Sequence, residues 1–273
     1  MQIPARAESG IVLLGCGKMG SALLEGWLAG GLAPDRFTIL DPAPTPRLED
    51  LAREGLHLNA EIPDAPAVAI VAVKPQMMGT ALDRLAPLGN RDTLFISIAA
   101  GTPIASFEKA LGSGTPVVRA MPNTPAAVGR GITALIGNRR ADEADMTLAE
   151  ALMGAVGQTV RLDSEDQMDA VTAVSGSGPA YVFLMIEALA AAGMAEGLSP
   201  DLALKLARAT VGGAGALAES SEQAPDELRV NVTSPAGTTA AALEILMKER
   251  SGLPDLLMKA VAAAAARSRE LRG

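Results

Sequence analysis

The sequence has very few of the residues on which metal sites and disulfide frameworks depend. Its 273 residues include one cysteine, Cys16, and one histidine, His57. One cysteine cannot form a disulfide within the chain, and these two residues cannot supply the ligands of a zinc site. We therefore expect no metal and a reducing compartment, which indicates a cytoplasmic protein.

Positive charge and long apolar runs are also scarce. The chain has 23 Lys and Arg residues against 31 Asp and Glu residues, and its net charge of −8 opposes binding to nucleic-acid phosphates or anionic lipid. The longest uncharged run, residues 170–186, contains a polar Ser-Gly-Ser-Gly-Pro sequence and is too short to span a bilayer. Arg6 and Glu8 argue against a secretory signal peptide. We expect neither nucleic-acid nor membrane partners.

Short apolar runs alternate with amphipathic stretches over the first 162 residues. The runs predict strands at residues 11–14, 37–40, 68–73, 93–98, 117–119, 132–136 and 158–162. Helices are predicted at residues 21–29, 48–54, 76–85, 104–111 and 144–155. Continuous apolar strands that alternate with helices are typical of a mostly parallel sheet covered on both faces. We therefore predict an α/β domain over residues 1–162.

A glycine-rich turn joins the first predicted strand to the first predicted helix. Its three glycines fit the pattern G-x-G-x-x-G, in which the first allows a tight turn and the second lets a pyrophosphate approach the backbone. The third lets the helix pack closely on the strand. This context predicts a Rossmann-like, doubly wound domain that binds a dinucleotide, with a ligand-free tight turn as the alternative. The candidate residues are Gly15, Cys16, Gly17, Lys18, Met19 and Gly20.

An acidic residue, Asp41, ends the second predicted strand. At this place a carboxylate can accept hydrogen bonds from ribose hydroxyls and repels a 2′-phosphate. Asp41 therefore favours NADH over NADPH, although Arg47 lies close enough along the chain to complicate this preference. The alternative is a solvated or capping aspartate that precedes a proline-rich loop.

Two further segments follow predicted strands at the carboxyl edge of the sheet, where ligands of open α/β sheets bind. Their small side chains leave room for a cofactor. Taken alone, Lys74 is more readily interpreted as a solvent-exposed lysine than as a contact with the cofactor. The candidate cofactor contacts are Ala72, Val73, Lys74, Pro75, Ile98, Ala99 and Ala100.

The pattern changes after residue 162, because alternating apolar runs end and helix-start signals recur. Pro179, Pro200, Pro225 and Pro254 each stand where proline fits the first turn of a helix. Only 2% of the chain is aromatic, so helices rich in alanine and glycine offer close approach but little side-chain area. We predict an all-helical domain over residues 163–273, which gains by burying surface against another subunit.

Four short motifs, taken together, distinguish this sequence from other chains with a glycine turn. Ala-Val-Lys-Pro at residues 72–75 is followed by Met-Pro-Asn-Thr-Pro-Ala at 121–126, Ser-Gly-Ser-Gly-Pro-Ala at 175–180 and Ser-Pro-Ala-Gly-Thr-Thr at 234–239. With these motifs in this order, the chain resembles the pyrroline-5-carboxylate reductase family from the glycine turn to the final helix. The resemblance implies reduction of 1-pyrroline-5-carboxylate to L-proline, the last step of proline biosynthesis, by hydride transfer from NADH or NADPH to the C=N bond.

The resemblance also implies a substrate site in the second half, with Thr239 as the candidate catalytic residue opposite the ring nitrogen. Because residues 234–239 precede a predicted helix, their N–H groups and the helix dipole can hold a substrate carboxylate. A helix cap at Thr238 or Thr239 is the structural alternative. The implied substrate contacts are Glu165, Glu222, Asn231, Ser234, Gly237, Thr238 and Thr239, and the further implied cofactor contacts are Asn59, Asn123 and Asn231.

The sequence departs from the family pattern at two positions. Ala236 stands where the family usually has a second glycine, which is tolerable at negative φ and strained at positive φ. Asp41 stands where many relatives have a small hydroxyl residue and use NADPH. The source of the proton for the imine nitrogen stays open between solvent, a prior iminium form and the Thr239 hydroxyl.

Two other functions compete with this one. A β-hydroxyacid dehydrogenase has a similar plan but needs a lysine in the helix near Pro179, and no lysine lies between Lys109 and Lys205. A non-catalytic, nicotinamide-binding regulatory protein would keep the glycine turn but need not keep Glu222 or residues 234–239.

Family members form dimers through their helical domains, so we expect a homodimer or a higher homo-oligomer such as a decamer.

Overall fold

The predicted strands assemble into one eight-stranded sheet. The computed structural model describes residues 4–271, except the side chain of Pro75. The order across the sheet begins as the 3-2-1-4-5-6 order of doubly wound nucleotide-binding sheets and continues with two more strands. In chain order the strands are β1 Ile11–Leu14, β2 Phe37–Leu40, β3 His57–Leu58, β4 Val68–Val71, β5 Leu94–Ser97, β6 Val117–Met121, β7 Gly131–Gly137 and β8 Gly157–Arg161.

The sheet is parallel except at one junction, so the prediction of a mostly parallel sheet is confirmed. β7 runs antiparallel to β6, with Met121 opposite Ala134, and β8 is again parallel to β7. The apolar pattern does not predict β3, because its two residues, His57 and Leu58, are too few to form a run. This strand pairs with the end of β2 and extends the sheet beyond it.

Helices connect the strands and then make up the rest of the chain. The prolines stand where the sequence predicts them: Pro200 and Pro225 begin their helices, while Pro179 and Pro254 are second residues. The helices are α1 Lys18–Ala29, α2 Pro46–Arg53, α3 Met78–Leu85, α4 Ile104–Leu111, α5 Glu143–Gly154, α6 Met168–Val171, α7 Gly178–Ala195, α8 Pro200–Ser220, α9 Pro225–Asn231, α10 Thr238–Leu246 and α11 Leu253–Leu271.

Each face of the sheet carries its own apolar core. Alternate residues of the buried strands face opposite sides, so Leu13 and Ile39 contribute to the core that includes α1, α2 and α5. Val12 and Val71 contribute to the second core, with α3 and α4. This double burial explains why the strands are continuously apolar rather than alternating.

The described residues form two compact units, one of residues 4–176 with 265–271 and the other of Ser177–Ala264. The first unit includes residues 163–176, and this segment bonds to the sheet and its loops. Glu165 contacts Arg119, and Asn123 contacts the backbone of Ser175. The domain division predicted after residue 162 stays a prediction.

The second unit is all-helical, as predicted, and has a very small core. Ala190 of α7 and Ala203 and Ala207 of α8 are buried, with Ile186 packed against them. Large apolar side chains on the same helices are exposed, including Phe183 at 58%. The helices therefore hold each other through small residues and leave most of their apolar surface uncovered within the chain.

One segment of the described residues, Glu165–Ala195, is long and apolar enough to cross a membrane by length and composition, with a mean hydropathy of 1.5. One such segment is weak evidence of a membrane span. It is not a continuous α-helix, because a π-helical turn, Thr172–Gly176, separates α6 from α7. The polar residues 175–179 lie at this break.

Candidate functional site

Close backbone contacts shape the glycine turn after β1. Gly15 has a φ of +83°, and a Cβ there would lie 2.8 Å from the carbonyl oxygen of Ala72. A Cβ at Gly20 would lie 2.5 Å from the carbonyl oxygen of Gly15. Both positions therefore require glycine, the first for the turn and the second for the approach of α1 to the turn.

The start of α1 is open to a ligand. Gly17 is the N-cap residue, no side chain caps the helix, and a Cβ at Gly17 would meet no atom within 4 Å. Lys18 is exposed and Met19 is half-buried. The N–H groups of the first turn and the positive end of the helix dipole are thus available to an anion, and the site fits the pyrophosphate of a dinucleotide.

Cys16 contributes its backbone rather than its thiol. Its side chain is buried, and burial raises the pKa of the thiol. The thiol therefore stays protonated at neutral pH and is a poor nucleophile. The Cys16 N–H donates to Oδ2 of Asp41 at 2.6 Å, which joins the glycine turn to the end of β2.

Asp41 is held beside a cleft of about 300 Å³ at the carboxyl ends of β1 and β2. Its Oδ1 accepts a hydrogen bond from the Ala43 N–H at 2.8 Å, so both carboxylate oxygens have a backbone donor. Each oxygen has a second lone pair that can accept a ribose hydroxyl. Leu14, Asn59 and Val73 also line the cleft, which fits the adenosine end of a dinucleotide.

Arg47 does not reach the carboxylate of Asp41. Its guanidinium donates from Nε to Oε1 of Glu25 at 2.8 Å and from Nη2 to Oε2 at 3.3 Å. Both side chains are about half exposed. Because Arg47 is already paired with a carboxylate of α1, it is less available to attract a 2′-phosphate beside Asp41.

One face of α3 completes the cleft, and the sequence prediction missed it. The lining residues are Met77, which directly precedes α3, and Thr80, Ala81 and Arg84 of α3. Their spacing of i, i+3, i+4 and i+7 places them on one side of a helix that follows a strand end. This periodicity, directly after the Ala-Val-Lys-Pro motif, is the signal that could have found them.

The strand-end segments lie beside the glycine turn, as predicted. The Ala72 N–H donates to Leu14 O at 2.8 Å, and the Ile98 N–H donates to Val71 O at 3.0 Å, so the parallel pairing continues past β4 and β5. Ala99 is buried, Val73 is half-buried, and Lys74 and Ala100 are exposed. These segments therefore form a continuous edge with residues 15–20.

Asn123 connects the loop after β6 to the π-helical turn. Its Nδ2 donates to Ser175 O at 3.1 Å, and its Oδ1 accepts from the Ile132 N–H at 2.9 Å. Its side chain is almost completely buried by these contacts. A Cβ at Gly176 would lie 2.7 Å from Met121 Cε, so the second glycine-rich motif packs directly on β6.

Glu165 is part of a polar junction on the first unit. Its Oε1 accepts from Arg119 Nη1 at 2.7 Å and from the Ile104 N–H at 2.9 Å. The Arg119 side chain is 4% exposed and that of Glu165 is 28% exposed. Glu165 thus joins β6, the first residue of α4 and the start of the segment that precedes α6. Its implied contact with substrate stays a prediction.

In the second unit, the loop of residues 234–239 forms a turn that ends at α10. Gly237 is the N-cap of α10, so the alternative in which Thr238 or Thr239 caps the helix is wrong. The Gly237 N–H donates to Ser234 O at 3.0 Å, and a Cβ at Gly237 would collide with Ser234 Oγ. No side chain caps the helix, so its first N–H groups are available to a carboxylate.

The backbone at Ala236 is strained. Its φ is +55°, in the left-handed region that costs an alanine about 1 kcal/mol relative to glycine. The departure from the family glycine at this position therefore has an energetic cost. Such strain persists only where surrounding contacts maintain it, and here the turn from Ser234 to Gly237 does so.

Of the implied substrate contacts, Glu222 precedes α9 and Asn231 is the last residue of α9. Both side chains are exposed. Asn231 Nδ2 donates to Oε1 of Gln223 at 3.2 Å, so the end of α9 contacts the segment that carries Glu222. Three residues further on, the chain enters the loop at Ser234, which places these candidates in one region of the second unit.

The sheet order, the glycine turn and the adenosine-sized cleft define the class of the first unit as a dinucleotide-binding domain of the oxidoreductase type. A sequence profile described as "NADP oxidoreductase coenzyme F420-dependent" matches residues 10–101. A second profile, "Pyrroline-5-carboxylate reductase dimerisation", matches residues 165–271.

Relatives cover nearly the whole chain. A pyrroline-5-carboxylate reductase from Pseudomonas aeruginosa is 42% identical over 96% of both chains, and one from Pisum sativum is 39% identical over 94% of both. The protein therefore belongs to the pyrroline-5-carboxylate reductase family, as its motifs indicate.

Solved structures agree. A pyrroline-5-carboxylate reductase from Coxiella burnetii has a TM-score of 0.88 at 36% identity, covering 97% of this chain and 99% of the other. A Plasmodium falciparum pyrroline carboxylate reductase with NADP bound has a TM-score of 0.84 at 31% identity, covering 98% and 99%. The fold prediction, a Rossmann-like domain followed by helices, is confirmed.

Glu165→Ala should lower the free energy of unfolding by about 3 kcal/mol, because it leaves the buried Arg119 guanidinium without its carboxylate. Urea denaturation of the two proteins gives the difference. Asp166→Asn is the control, since Asp166 is the exposed neighbour, and it should change stability by less than about 0.5 kcal/mol. Equal effects of the two substitutions would show that the Arg119 junction contributes nothing specific.

Proposed function

We propose that the protein reduces 1-pyrroline-5-carboxylate to L-proline with NADH or NADPH, as the last step of proline biosynthesis. The observation that carries this proposal is the uncapped start of α10 behind the Ser-Pro-Ala-Gly-Thr-Thr loop. A nucleotide-binding domain alone would suit many dehydrogenases and a regulatory protein. This loop adds a carboxylate-binding element to a chain whose relatives are named for that reaction.

The chain's own residues bind and orient the two reactants. The first turn of α1 would hold the pyrophosphate, while Asp41 and the cleft beside it would hold the adenosine. Residues 98–100 and Asn123 are the proposed contacts at the other end of the cofactor, together with Asn231. The N–H groups of Thr238 and Thr239 would bind the substrate carboxylate, with Gly237, Ser234, Glu222 and Glu165 as further proposed contacts.

When bound, the reduced nicotinamide supplies a hydride to the carbon of the ring C=N bond. One proton must reach the ring nitrogen, so that the products are L-proline and the oxidised cofactor. The only histidine, His57, lies on β3, and the only cysteine lies in the glycine turn, so neither belongs to the loop at 234–239. The Thr239 hydroxyl is the proposed group that orients the nitrogen and passes or holds this proton.

Asp41 supports a preference for NADH. A fixed carboxylate beside the ribose accepts its hydroxyls and repels a 2′-phosphate, which carries up to two negative charges. Arg47, which could offset this repulsion, is paired with Glu25. The preference for NADH is thus proposed from charge and geometry, in contrast to the Plasmodium falciparum relative, which has NADP bound.

Assembly as a homodimer, or as a higher homo-oligomer such as a decamer, is supported by the exposed apolar helices of the second unit. Leu184 and Met258 are each 64% exposed, and large exposed apolar patches on a soluble protein mark interaction surfaces. The dimerisation profile covers the same residues. We propose a cytoplasmic location, which fits the single buried thiol and the biosynthetic role.

Purified protein should oxidise NADH or NADPH only when 1-pyrroline-5-carboxylate is present, and Thr239→Ala should lower kcat/KM about 100-fold, because one positioned hydroxyl is lost. The decrease in absorbance of the reduced nucleotide measures turnover by the wild type and by the variant. Thr147→Ala, on the exposed side of α5, is the matched control and should keep full activity. No turnover with either nucleotide would leave only a non-catalytic role, and an unchanged kcat/KM would remove Thr239 from the mechanism.

The ratio of kcat/KM for NADH to that for NADPH should exceed one, and Asp41→Ser should reduce it at least tenfold, because the repelling carboxylate is removed while a hydroxyl remains. Steady-state kinetics with each nucleotide at saturating substrate gives the ratio. Glu49→Ser, an exposed carboxylate on α2, controls for the loss of one negative charge. A wild type that strongly prefers NADPH would contradict this interpretation of Asp41.

Light scattering at micromolar concentration should give a mass of at least twice the 27.8 kDa chain. Phe183→Glu should reduce that mass, because it places a charge on the exposed apolar side of α7. Val128→Glu, at an even more exposed apolar position of the first unit, should leave the mass unchanged. A monomeric wild type would contradict the proposed assembly.

A further inference from the structure

Asn59 makes a two-point contact with the backbone of Asp41. Its Oδ1 accepts from the Asp41 N–H at 3.0 Å, and its Nδ2 donates to the Asp41 carbonyl oxygen at 2.9 Å. The amide side chain thereby pairs with Asp41 as a neighbouring strand would, just beyond the last residue of β2. The end of β2 is held although β3 has already ended at Leu58.

The backbone of Asn59 is arranged for this contact. Its own N–H donates to Ile39 O at 2.8 Å, and its φ is +50°. Asparagine is one of the few residues that tolerate this left-handed conformation, because its short side chain bonds to nearby backbone. The turn at residue 59 therefore directs the amide back along β2 instead of continuing β3.

Four hydrogen bonds now determine where the Asp41 carboxylate lies. The two from Asn59 fix the main chain of Asp41, and the N–H groups of Cys16 and Ala43 each bond to one carboxylate oxygen. Without the Asn59 side chain, the peptide groups on both sides of Asp41 lose their partners and the carboxylate can turn away from the glycine turn. Asn59 and Asp41 line the same cleft, which also contains Arg84.

We propose that Asn59 is a positioning residue for nucleotide specificity: it selects against a 2′-phosphate by holding the Asp41 carboxylate at the ribose end of the cleft. This inference rests on the proposed function of the first unit as a dinucleotide site. Asn59 carries no charge, so it repels no phosphate itself. When Asp41 is released, Arg84 is a cation already in the lining that can attract the 2′-phosphate.

The test is a double-mutant cycle on nucleotide affinity. Dissociation constants for NADH and NADPH are measured by the fluorescence of the reduced nucleotide, without substrate, for wild type, Asn59→Gly, Asp41→Ser and the double variant. Glycine adopts a φ of +50° freely, so Asn59→Gly removes only the side chain. Asn59→Ser is a second variant that keeps a small polar group but cannot make both bonds.

Asn59→Gly should shift the ratio of the two dissociation constants at least fivefold toward NADPH in the wild-type background. In the Asp41→Ser background the same substitution should shift it less than twofold, because there is no carboxylate left to position. Asn90→Gly is the matched control. Asn90 also has a left-handed backbone, with φ of +54°, and its Oδ1 accepts from the Gly114 N–H, but it does not line the cleft. It should leave the ratio unchanged.

Three results would overturn the proposal. An equal shift in both backgrounds would mean that Asn59 contacts the nucleotide directly. An equal loss of affinity for both nucleotides would mean that it supports the cleft as a whole, and an unchanged ratio would mean that Asp41 needs no positioning.

Turnover of 1-pyrroline-5-carboxylate is measured separately. A protein that binds both nucleotides but reduces no substrate would therefore refute the proposed reaction while the binding cycle still decides the role of Asn59.

Discussion

The nucleotide-binding half of the protein depends on one steric constraint, the absence of Cβ atoms at Gly15 and Gly20. With the carbonyl oxygens of Ala72 and Gly15 within 2.8 Å and 2.5 Å of those missing atoms, any larger residue would separate α1 from the turn or the turn from β4. The same contacts bring the end of β1, residues 72–73 and the first turn of α1 together. The uncapped start of α1, where we propose that an anion binds, is therefore a consequence of packing, and its positive potential comes from backbone N–H groups.

Much of this half could be predicted from the sequence, because its signals are local. Continuous apolar strands, a glycine turn at a strand end and Asp41 at the next strand end each follow from a few adjacent residues. What the sequence does not contain is the partner of each polar group across the sheet. The pairing of Arg47 with Glu25, and of Glu165 with Arg119, depends on side chains that meet only after the helices have packed. The π-helical turn at Thr172–Gly176 has no distinctive local pattern either, and the close approach of its last residue, Gly176, to Met121 of β6 exists only in the folded chain.

The helical half obeys a different constraint. The buried residues of α7 and α8 are alanines, so these two helices approach closely but bury little area per residue. Helices joined in this way gain little stability from their own contacts, and the exposed apolar residues on them remain to be covered. Low aromatic content, which suggests a weak core when considered alone, is thus compatible with a fold in which much of the apolar surface belongs to an interface between subunits.

The two ends of the proposed chemistry share a physical principle. α1 and α10 both begin at a glycine N-cap without a side-chain cap, and each leaves backbone N–H groups for the anion proposed there, a pyrophosphate at α1 and a carboxylate at α10. A protein with one histidine and one cysteine can in this way bind two charged reactants without metal ligands or a cluster of ionisable groups. Specificity then has to come from what stands beside each helix start. At α1 this is the fixed carboxylate of Asp41, and at α10 it is a turn whose shape is maintained against the strain at Ala236. Both devices act through backbone geometry, so substitutions that change φ preferences or release a backbone contact should alter recognition as strongly as those that remove a charge.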